Sequence, residues 1–151
     1  MKNKYNMTKE DNIFFAKRKL TDNLYKSANL EGIAVTFADT VAFVNNVNTG
    51  NISINDMLKL KGLKDAWEFV LDTIDEKLTI NYIKKIHFEI CKGQGVEPLG
   101  EFRDKGVGIT GTSYRPKLPS ECNYDAELND IMNIDNALDR CITLFLWIQR
   151  S

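Results

Sequence analysis

The segment covering residues 99–119 constrains the fold of this chain most, because it is the longest stretch without a helical pattern. It reads LGEFRDKGVGITGTSYRPKLP, with glycine at 106, 108 and 111 and proline at 116 and 119. Strand-forming residues alternate with the glycines, and glycine permits the positive φ that a tight turn needs. The pattern predicts a short β-hairpin, called here the flap segment. Two isolated strands are marginal in water, so such a hairpin indicates a ligand or a partner.

Length and charge narrow the possible classes of protein. The 151 residues predict one domain over 1–151, large enough to bury a core. A formal net charge of −1 provides no general attraction to nucleic acid or to an acidic membrane. Composition therefore predicts a globular protein with neither a nucleic-acid nor a membrane partner.

The cysteines and the N-terminus bear on the compartment. Cys91, Cys122 and Cys141 include no C-x-x-C pair. Because Cys91 and Cys141 lie in apolar helical contexts, we expect buried thiols rather than a disulfide or a metal site. The N-terminal residues are polar and residues 141–148 are too few to cross a bilayer. These features predict a cytoplasmic protein.

Apolar residues at helical spacing predict a mainly α fold of about six helices. The first follows a capping box at Thr8 and Asp11, ends near Gly32, and carries one apolar stripe. The second begins with a similar box at Thr36 and Asp39, and the polar residues 45–51 form a turn. A third covers 55–76, a fourth begins at the Thr79 cap and stops at Gly93, and two more cover 125–132 and 135 onward. The expected buried residues are Ile13, Ala16, Leu20, Leu24, Ala28, Phe37, Val41, Val44, Leu58, Ala66, Phe69, Val70, Ile74, Ile83, Ile86 and Ile90.

The last predicted helix is apolar on every face, since seven of the eight residues 141–148 are apolar. Such a helix belongs in the centre of a domain. Two explanations are open at this point: a terminal helix that docks into the core, or a chain that ends before its domain does.

Two short motifs occur together in this chain: residues 27–32, which precede the second predicted helix, and residues 100–103, which lead into the flap segment. Together they resemble motifs of the Fic family, which transfers AMP, or another phosphate-containing group, from a nucleotide to a hydroxyl group of a target protein. Residues 27–32, Ser-Ala-Asn-Leu-Glu-Gly, resemble the inhibitory motif Ser/Thr-x-x-x-Glu-Gly/Asn. Residues 100–103, Gly-Glu-Phe-Arg, resemble the Gly-x-Phe/Tyr-Arg that leads into the family's flap, and Pro116 and Pro119 resemble its proline-rich exit. The helices before and after the flap segment follow the family's order.

The resemblance implies a Fic-like helical bundle with one short β-hairpin flap. It implies that Glu31 inhibits by occupying the arginine that grips the nucleotide, that ATP and Mg²⁺ take part, and that a target protein binds along the flap. The implied inhibitory residues are Ser27, Glu31 and Gly32. The implied flap residues are Val107, Gly108, Ile109, Thr110 and Gly111.

The family's catalytic signature, His-x-Phe-x-Asp/Glu-Gly-Asn-x-Arg, is not present in this sequence. The single histidine, His87, lies in another helix, where we expect it to pack or to bond to the backbone. No catalytic residue and no metal ligand is therefore assigned. The expectation is the inhibitory-helix and flap portion of an adenylyltransferase, without its catalytic part and inactive alone.

Plainer alternatives remain for each feature. Without the resemblance, Glu31 is interpreted as a solvated carboxylate near a helix end, and the flap is interpreted as a structural hairpin. Arg103 either braces the hairpin or binds a phosphate. The alternative function is a non-enzymatic interaction module that uses the hairpin edge or an exposed apolar helix, with possible self-association.

Overall fold

A computed structural model describes residues 5–47, 52–108 and 110–149. Within these residues the chain is mainly helical, as predicted, with seven α-helices and one short 3₁₀ helix. The α-helices are α1 (Lys9–Arg18), α2 (Leu20–Leu30), α3 (Phe37–Val44), α4 (Ile54–Asp72), α5 (Ile80–Cys91), α6 (Tyr124–Met132) and α7 (Ala137–Ile148), and the 3₁₀ helix is Pro119–Glu121.

The chain forms two compact units. The first, here the N-terminal unit, comprises Met7–Lys77 and Lys84–Gly100. The second, the C-terminal unit, includes Leu78–Ile83 and the described residues from Glu101 onward. That residues 1–151 form one domain stays a prediction, and each unit is described by itself below.

The core of the N-terminal unit forms around α2, which packs against α3 and α4. Leu24 and Leu60 are fully buried, and Ile33 and Val35 after the end of α2 close the same cluster. Burying such side chains contributes about 1.5–3 kcal/mol each. The connection after α2 is thereby held against the core.

The predicted helix starts at Thr8, Thr36 and Thr79 are confirmed. The Thr8 and Thr36 hydroxyls accept from the N–H groups of Asp11 and Asp39, each at 3.1 Å, and both aspartates bond back to complete a capping box. The Thr79 hydroxyl accepts from the Tyr82 N–H at 3.1 Å. These bonds satisfy helix N–H groups that lack a partner within the helix.

The first predicted helix is two helices. The break lies at Lys19, whose N–H is shared between the carbonyls of Phe15 at 3.0 Å and Ala16 at 3.2 Å. The buried residues Leu24 and Ala28 belong to α2, and α1 has none. Nothing in the apolar spacing indicates this break, because each half keeps its own helical pattern.

Some predicted buried faces are wrong. In α3, Phe37 and Val41 are exposed and Thr40 is buried, with its hydroxyl donating to the Thr36 carbonyl at 3.0 Å. In α4, Leu58 of the predicted set is exposed, while Leu60, Gly62 and Ala66 are buried. Ile74, also predicted to be buried, is exposed in the turn after α4. These faces follow from the close packing of neighbouring helices, which apolar spacing does not encode.

The C-terminal unit contains α6 and α7 around a group of three aromatic rings. The Tyr124 ring lies 5.0 Å from Phe102 and 5.7 Å from Trp147, centroid to centroid. The Trp147 indole N–H donates to the Glu127 carboxylate at 2.6 Å. Tyr124, Leu128 and Ile131 of α6 are buried, so α6 carries the buried residues of this helix pair.

The first of the two explanations for the last helix, docking into the core, is wrong for the described chain, because no residue of α7 is buried. Trp147 holds one side of α7 to α6. Cys141 is exposed, contrary to expectation, and Cys91 and Cys122 are partly buried; all three are free thiols. The exposed apolar side chains of α7 are Leu138, Ile142, Phe145, Leu146 and Ile148.

The predicted β-hairpin is also wrong: the described residues of the flap segment contain no strand. Hydrogen bonds from side chains to the backbone, which are described below, hold this segment instead. A two-stranded ladder without a third strand or a helix beneath it is marginal in water, which accounts for its absence here.

Among the residues described, no helix is both long enough and apolar enough to span a bilayer.

Candidate functional sites

The end of α2 carries the three predicted inhibitory residues, and its geometry explains the glycine. Gly32 has φ +69°. Its N–H donates to the Asn29 carbonyl at 3.1 Å, and the Ile33 N–H donates to the Ala28 carbonyl at 2.9 Å. This pair of bonds, with a buried apolar residue after the glycine, is a Schellman motif. Gly32 therefore terminates α2 and sends Ile33 into the core.

Ser27 and Glu31 stand one helical turn apart, as predicted, and the Glu31 N–H donates to the Ser27 carbonyl at 3.1 Å. Ser27 is half-buried and Glu31 is exposed at the helix end. This places the Glu31 carboxylate on the surface, where it is available to an approaching cation.

Glu31 also lines a cavity of about 360 Å³ within the N-terminal unit, called here the Glu31 cavity. The cavity lies among the end of α2, α4, α5 and the residues after α5. Its polar lining consists of Glu31, Lys59, His87 and Gln94, and the rest consists of Ile33, Leu63, Ile90 and Cys91.

Cys91 and His87 face each other one turn apart on α5, with the thiol sulfur 3.5 Å from His87 Nε2. Burial, and to a smaller extent the negative charge of Glu31, raise the pKa of the Cys91 thiol. A raised pKa keeps the thiol protonated and therefore a poor nucleophile.

The other ring nitrogen of His87, Nδ1, accepts a hydrogen bond from the Gly100 N–H at 3.2 Å. This agrees with the expectation that the single histidine bonds to the backbone. Gly100 has φ +67°, and a Cβ built there would lie 3.1 Å from the Phe88 Cβ. Glycine is thus needed for the chain to pass this close to α5.

Arg103 closes the flap segment. Its guanidinium donates to the carbonyls of Lys105 at 2.9 Å and Lys117 at 2.6 Å, which joins the two ends of the loop between them. Both contacts support the bracing role over the phosphate role, since they occupy guanidinium N–H groups that would otherwise meet a phosphate.

The predicted flap residues lie inside this loop. Val107 is exposed, and Gly108 lies against the Arg115 guanidinium, with 3.4 Å from a built Cβ to Arg115 Cζ. Thr110 and Gly111 form a turn in which Gly111 has φ +84°. The prediction for Ile109 lies outside the described residues. The structure leaves the backbone of this loop unpaired with any strand in the described chain.

The sequence indicated Glu31 but not the cavity beside it. Lys59, Cys91 and Gln94 lie 28 or more positions from Glu31 along the chain. The one local signal was the spacing of His87 and Cys91, which places them on the same face of a helix. The other lining residues come together only because α4 and α5 approach the end of α2.

The described residues contain no group of three His, Cys, Asp or Glu side chains that could hold a metal ion. The Glu31 cavity offers one ammonium group and one carboxylate, which does not match the several cationic or N–H donors that a triphosphate needs. The Glu31 cavity by itself therefore does not fit ATP with Mg²⁺.

Comparison with known proteins gives no match: no family model, no curated protein and no solved structure is significantly similar to this chain.

Proposed function

We propose that this chain is the inhibitory-helix and flap portion of a Fic-type protein adenylyltransferase. Such an enzyme transfers AMP from ATP to a hydroxyl group of a target protein. The two motifs in family order, residues 27–32 and 100–103, are the basis of the assignment. Because the chain contains no His-x-Phe-x-Asp/Glu-Gly-Asn-x-Arg signature, we expect it to be inactive alone.

The observation that carries the proposal is the position of Glu31. Its carboxylate is exposed at the end of α2, one turn after Ser27, on the wall of a cavity. A carboxylate there can pair with an arginine of the catalytic signature and repel a nucleotide phosphate at the same place. This competition is the inhibition that the family resemblance implies.

The flap segment would hold the target. Residues 107–108 and 110–111 lie in a loop closed at its base by Arg103, with backbone groups available to an extended peptide. An extended peptide that pairs with these backbone groups would be held along the loop. The target hydroxyl would then be held at a fixed depth, which makes the transfer effectively intramolecular.

Label transfer from ATP carrying ³²P at the α-phosphate tests this proposal. The purified chain is compared with a fusion that adds the catalytic signature segment of a Fic protein after Ser151. We expect no transfer by the chain alone and transfer by the fusion. The matched control is the same fusion with the signature histidine replaced by alanine. Robust transfer by the chain alone, or none by a folded fusion, would contradict the proposal.

The exposed face of α7 favours a second candidate, an interaction module without enzymatic activity. Leu138, Ile142, Phe145, Leu146 and Ile148 are each between 40% and 61% exposed on this one helix. Exposed apolar side chains in such a group commonly mark a binding surface or cause self-association.

Light scattering and binding of an apolar dye test the second candidate. Phe145→Glu should reduce both self-association and dye fluorescence, while Gln149→Glu, which adds the same charge at the C-cap of α7, should change neither. A monodisperse monomer that binds no dye would exclude this function.

A further inference from the structure

His87 joins two parts of the N-terminal unit through its two ring nitrogens. Nδ1 accepts from the Gly100 N–H at 3.2 Å, and Nε2 lies 3.5 Å from the Cys91 sulfur. A neutral imidazole carries one hydrogen, so accepting at Nδ1 places that hydrogen on Nε2, where it faces Cys91. Only the neutral side chain can make both contacts.

Gly100 also lies so close to α5 that a side chain would not fit there without a shift of its neighbours. A Cβ built on it would lie 3.3 Å from the Lys84 carbonyl oxygen as well as 3.1 Å from the Phe88 Cβ. Gly100 is the last residue of the N-terminal unit and the first residue of the Gly-Glu-Phe-Arg lead-in to the flap segment. The His87 contact therefore holds Gly100 beside α5.

We propose that His87 is a proton-sensitive latch on the start of the flap segment. The neutral imidazole anchors the Gly100 N–H, and protonation at Nδ1 releases it, because an imidazolium has an N–H on both nitrogens and cannot accept. His87 is exposed, so solvent protons reach it.

Other titratable groups share the surroundings of His87. Glu31 comes from the end of α2, Lys59 from α4 and the Cys91 thiol from α5 itself. Lys84 lies one turn earlier on α5. Glu31 is negative and the lysines are positive, so their effects on the protonation of His87 oppose each other. The Gly100 N–H faces the imidazole directly, and it favours the unprotonated Nδ1.

The latch itself depends only on these contacts, whereas its effect on target alignment rests on the proposed function. Once released from His87, Gly100 would no longer hold the start of the flap segment in one position. Target binding through the flap segment would then weaken as the pH falls.

Nuclear magnetic resonance of the ¹⁵N-labelled full chain tests the latch without measuring AMP transfer. The ring nitrogens of His87 and the exchange of the Gly100 amide are followed from about pH 8 to about pH 5. We expect Nδ1 to be unprotonated at the upper end, and the Gly100 amide to lose about fivefold in protection, relative to the intrinsic exchange rate, as the ring titrates. The Ile33 amide, bonded to the Ala28 carbonyl in the core, should stay protected.

Two variants separate the hydrogen bond from the presence of a histidine. His87→Asn places an amide oxygen near the position of Nδ1, so Gly100 should stay protected throughout. His87→Gln places its amide near the position of Nε2, so Gly100 should be unprotected throughout. Melting curves check that both variants fold.

Three results would overturn the latch: equal Gly100 protection in the two folded variants, Gly100 protection unchanged across the titration, or joint release of Gly100 and Ile33. None of them bears on label transfer by the fusion, so failure of the latch and failure of the proposed function are distinguishable.

Discussion

At the scale of single residues, the backbone conformation of Gly32 explains why this motif position is a glycine, independently of any inhibitory role. Its φ of +69° closes the Schellman motif that ends α2, and no atom lies within 4 Å of a Cβ built there. A side chain would therefore meet conformational strain and no clash.

We predict that Gly32→Ala lowers the free energy of unfolding by about 1 kcal/mol, the cost of a left-handed conformation for alanine. Denaturant titration measures this difference. Gly106→Ala is the matched control, because Gly106 has neither a positive φ nor an atom within 4 Å of its built Cβ. Equal effects of the two substitutions would contradict this account of Gly32.

Glu31 and Cys91 offer a second test at this scale. Burial and, less strongly, the Glu31 charge raise the pKa of the Cys91 thiol, so Glu31→Gln should lower that pKa. We predict that alkylation of Cys91 near neutral pH then becomes up to about threefold faster.

Exposed Cys141 in the same molecule is the internal control for this alkylation, and its rate should not change. Mass spectrometry of the two peptides over time measures both rates. An unchanged Cys91 rate would mean that Glu31 does not act on this side of the cavity.

At the scale of elements, α4 and α5 approach each other through Gly62. A Cβ built on Gly62 would lie 1.9 Å from the Ile90 carbonyl oxygen, which also accepts from the Gln94 amide at 2.5 Å. No side chain fits there unless the backbone of one helix moves.

We predict that Gly62→Ala destabilises the chain by about 2–3 kcal/mol through overpacking. The sign of the change in stability is informative, because replacing glycine with alanine at a helix position without this contact would stabilise the helix by about 1 kcal/mol. Thermal unfolding of the two proteins measures the difference. A more stable variant would show that α4 and α5 do not meet at Gly62.

Asp65 ties α4 to the end of α5 by accepting from Lys61 at 2.5 Å and Lys92 at 3.2 Å. Burial of the carboxylate opposes its ionisation, but the bonds from Lys61 and Lys92 outweigh this effect and hold the pKa of Asp65 below its ordinary value. A lowered pKa in the folded chain stabilises it above the ordinary value, and that contribution is lost as the pH falls through the lowered one.

We predict that Asp65→Asn makes stability depend less on pH below about pH 4, the ordinary range of an aspartate. Urea titrations at several pH values measure this dependence. The control is Asp72→Asn on the same helix, because the structure describes no ion pair for Asp72. An equal slope in the Asp65 variant and the unaltered chain would contradict the ion pairs.

At the scale of the whole molecule, local sequence signals predicted where helices begin, whereas tertiary packing determines which of their residues are buried. The caps at Thr8, Thr36 and Thr79 depend on neighbours within three residues, so they were visible in the sequence. The burial of Thr40 and Leu60 depends on the approach of other helices, and apolar spacing alone pointed to other residues. The flap segment has a turn at Gly111 but no strand among its described residues. Hydrogen bonds from Arg103 close this loop instead, and strand propensity does not predict them.

The candidate site divides in the same way. Ser27, Glu31 and Gly32 could be placed from sequence because they form one local helix end. Lys59, His87 and Cys91, which line the cavity beside Glu31, come from two other helices. The packing that brings these helices to the end of α2 involves residues far apart in the chain, so no local sequence pattern predicts it.

The central claim is that Glu31 restrains AMP transfer, and the rate of label transfer by the fusion protein tests it most directly. Glu31→Gln in that fusion is compared with Glu10→Gln, which removes a carboxylate from the first turn of α1. We predict that the Glu31 variant transfers label about tenfold faster or more, because a hydrogen bond between charged groups is worth about 1.5–3 kcal/mol. The Glu10 variant should match the unaltered fusion. Equal rates in all three proteins would contradict the inhibitory role of Glu31.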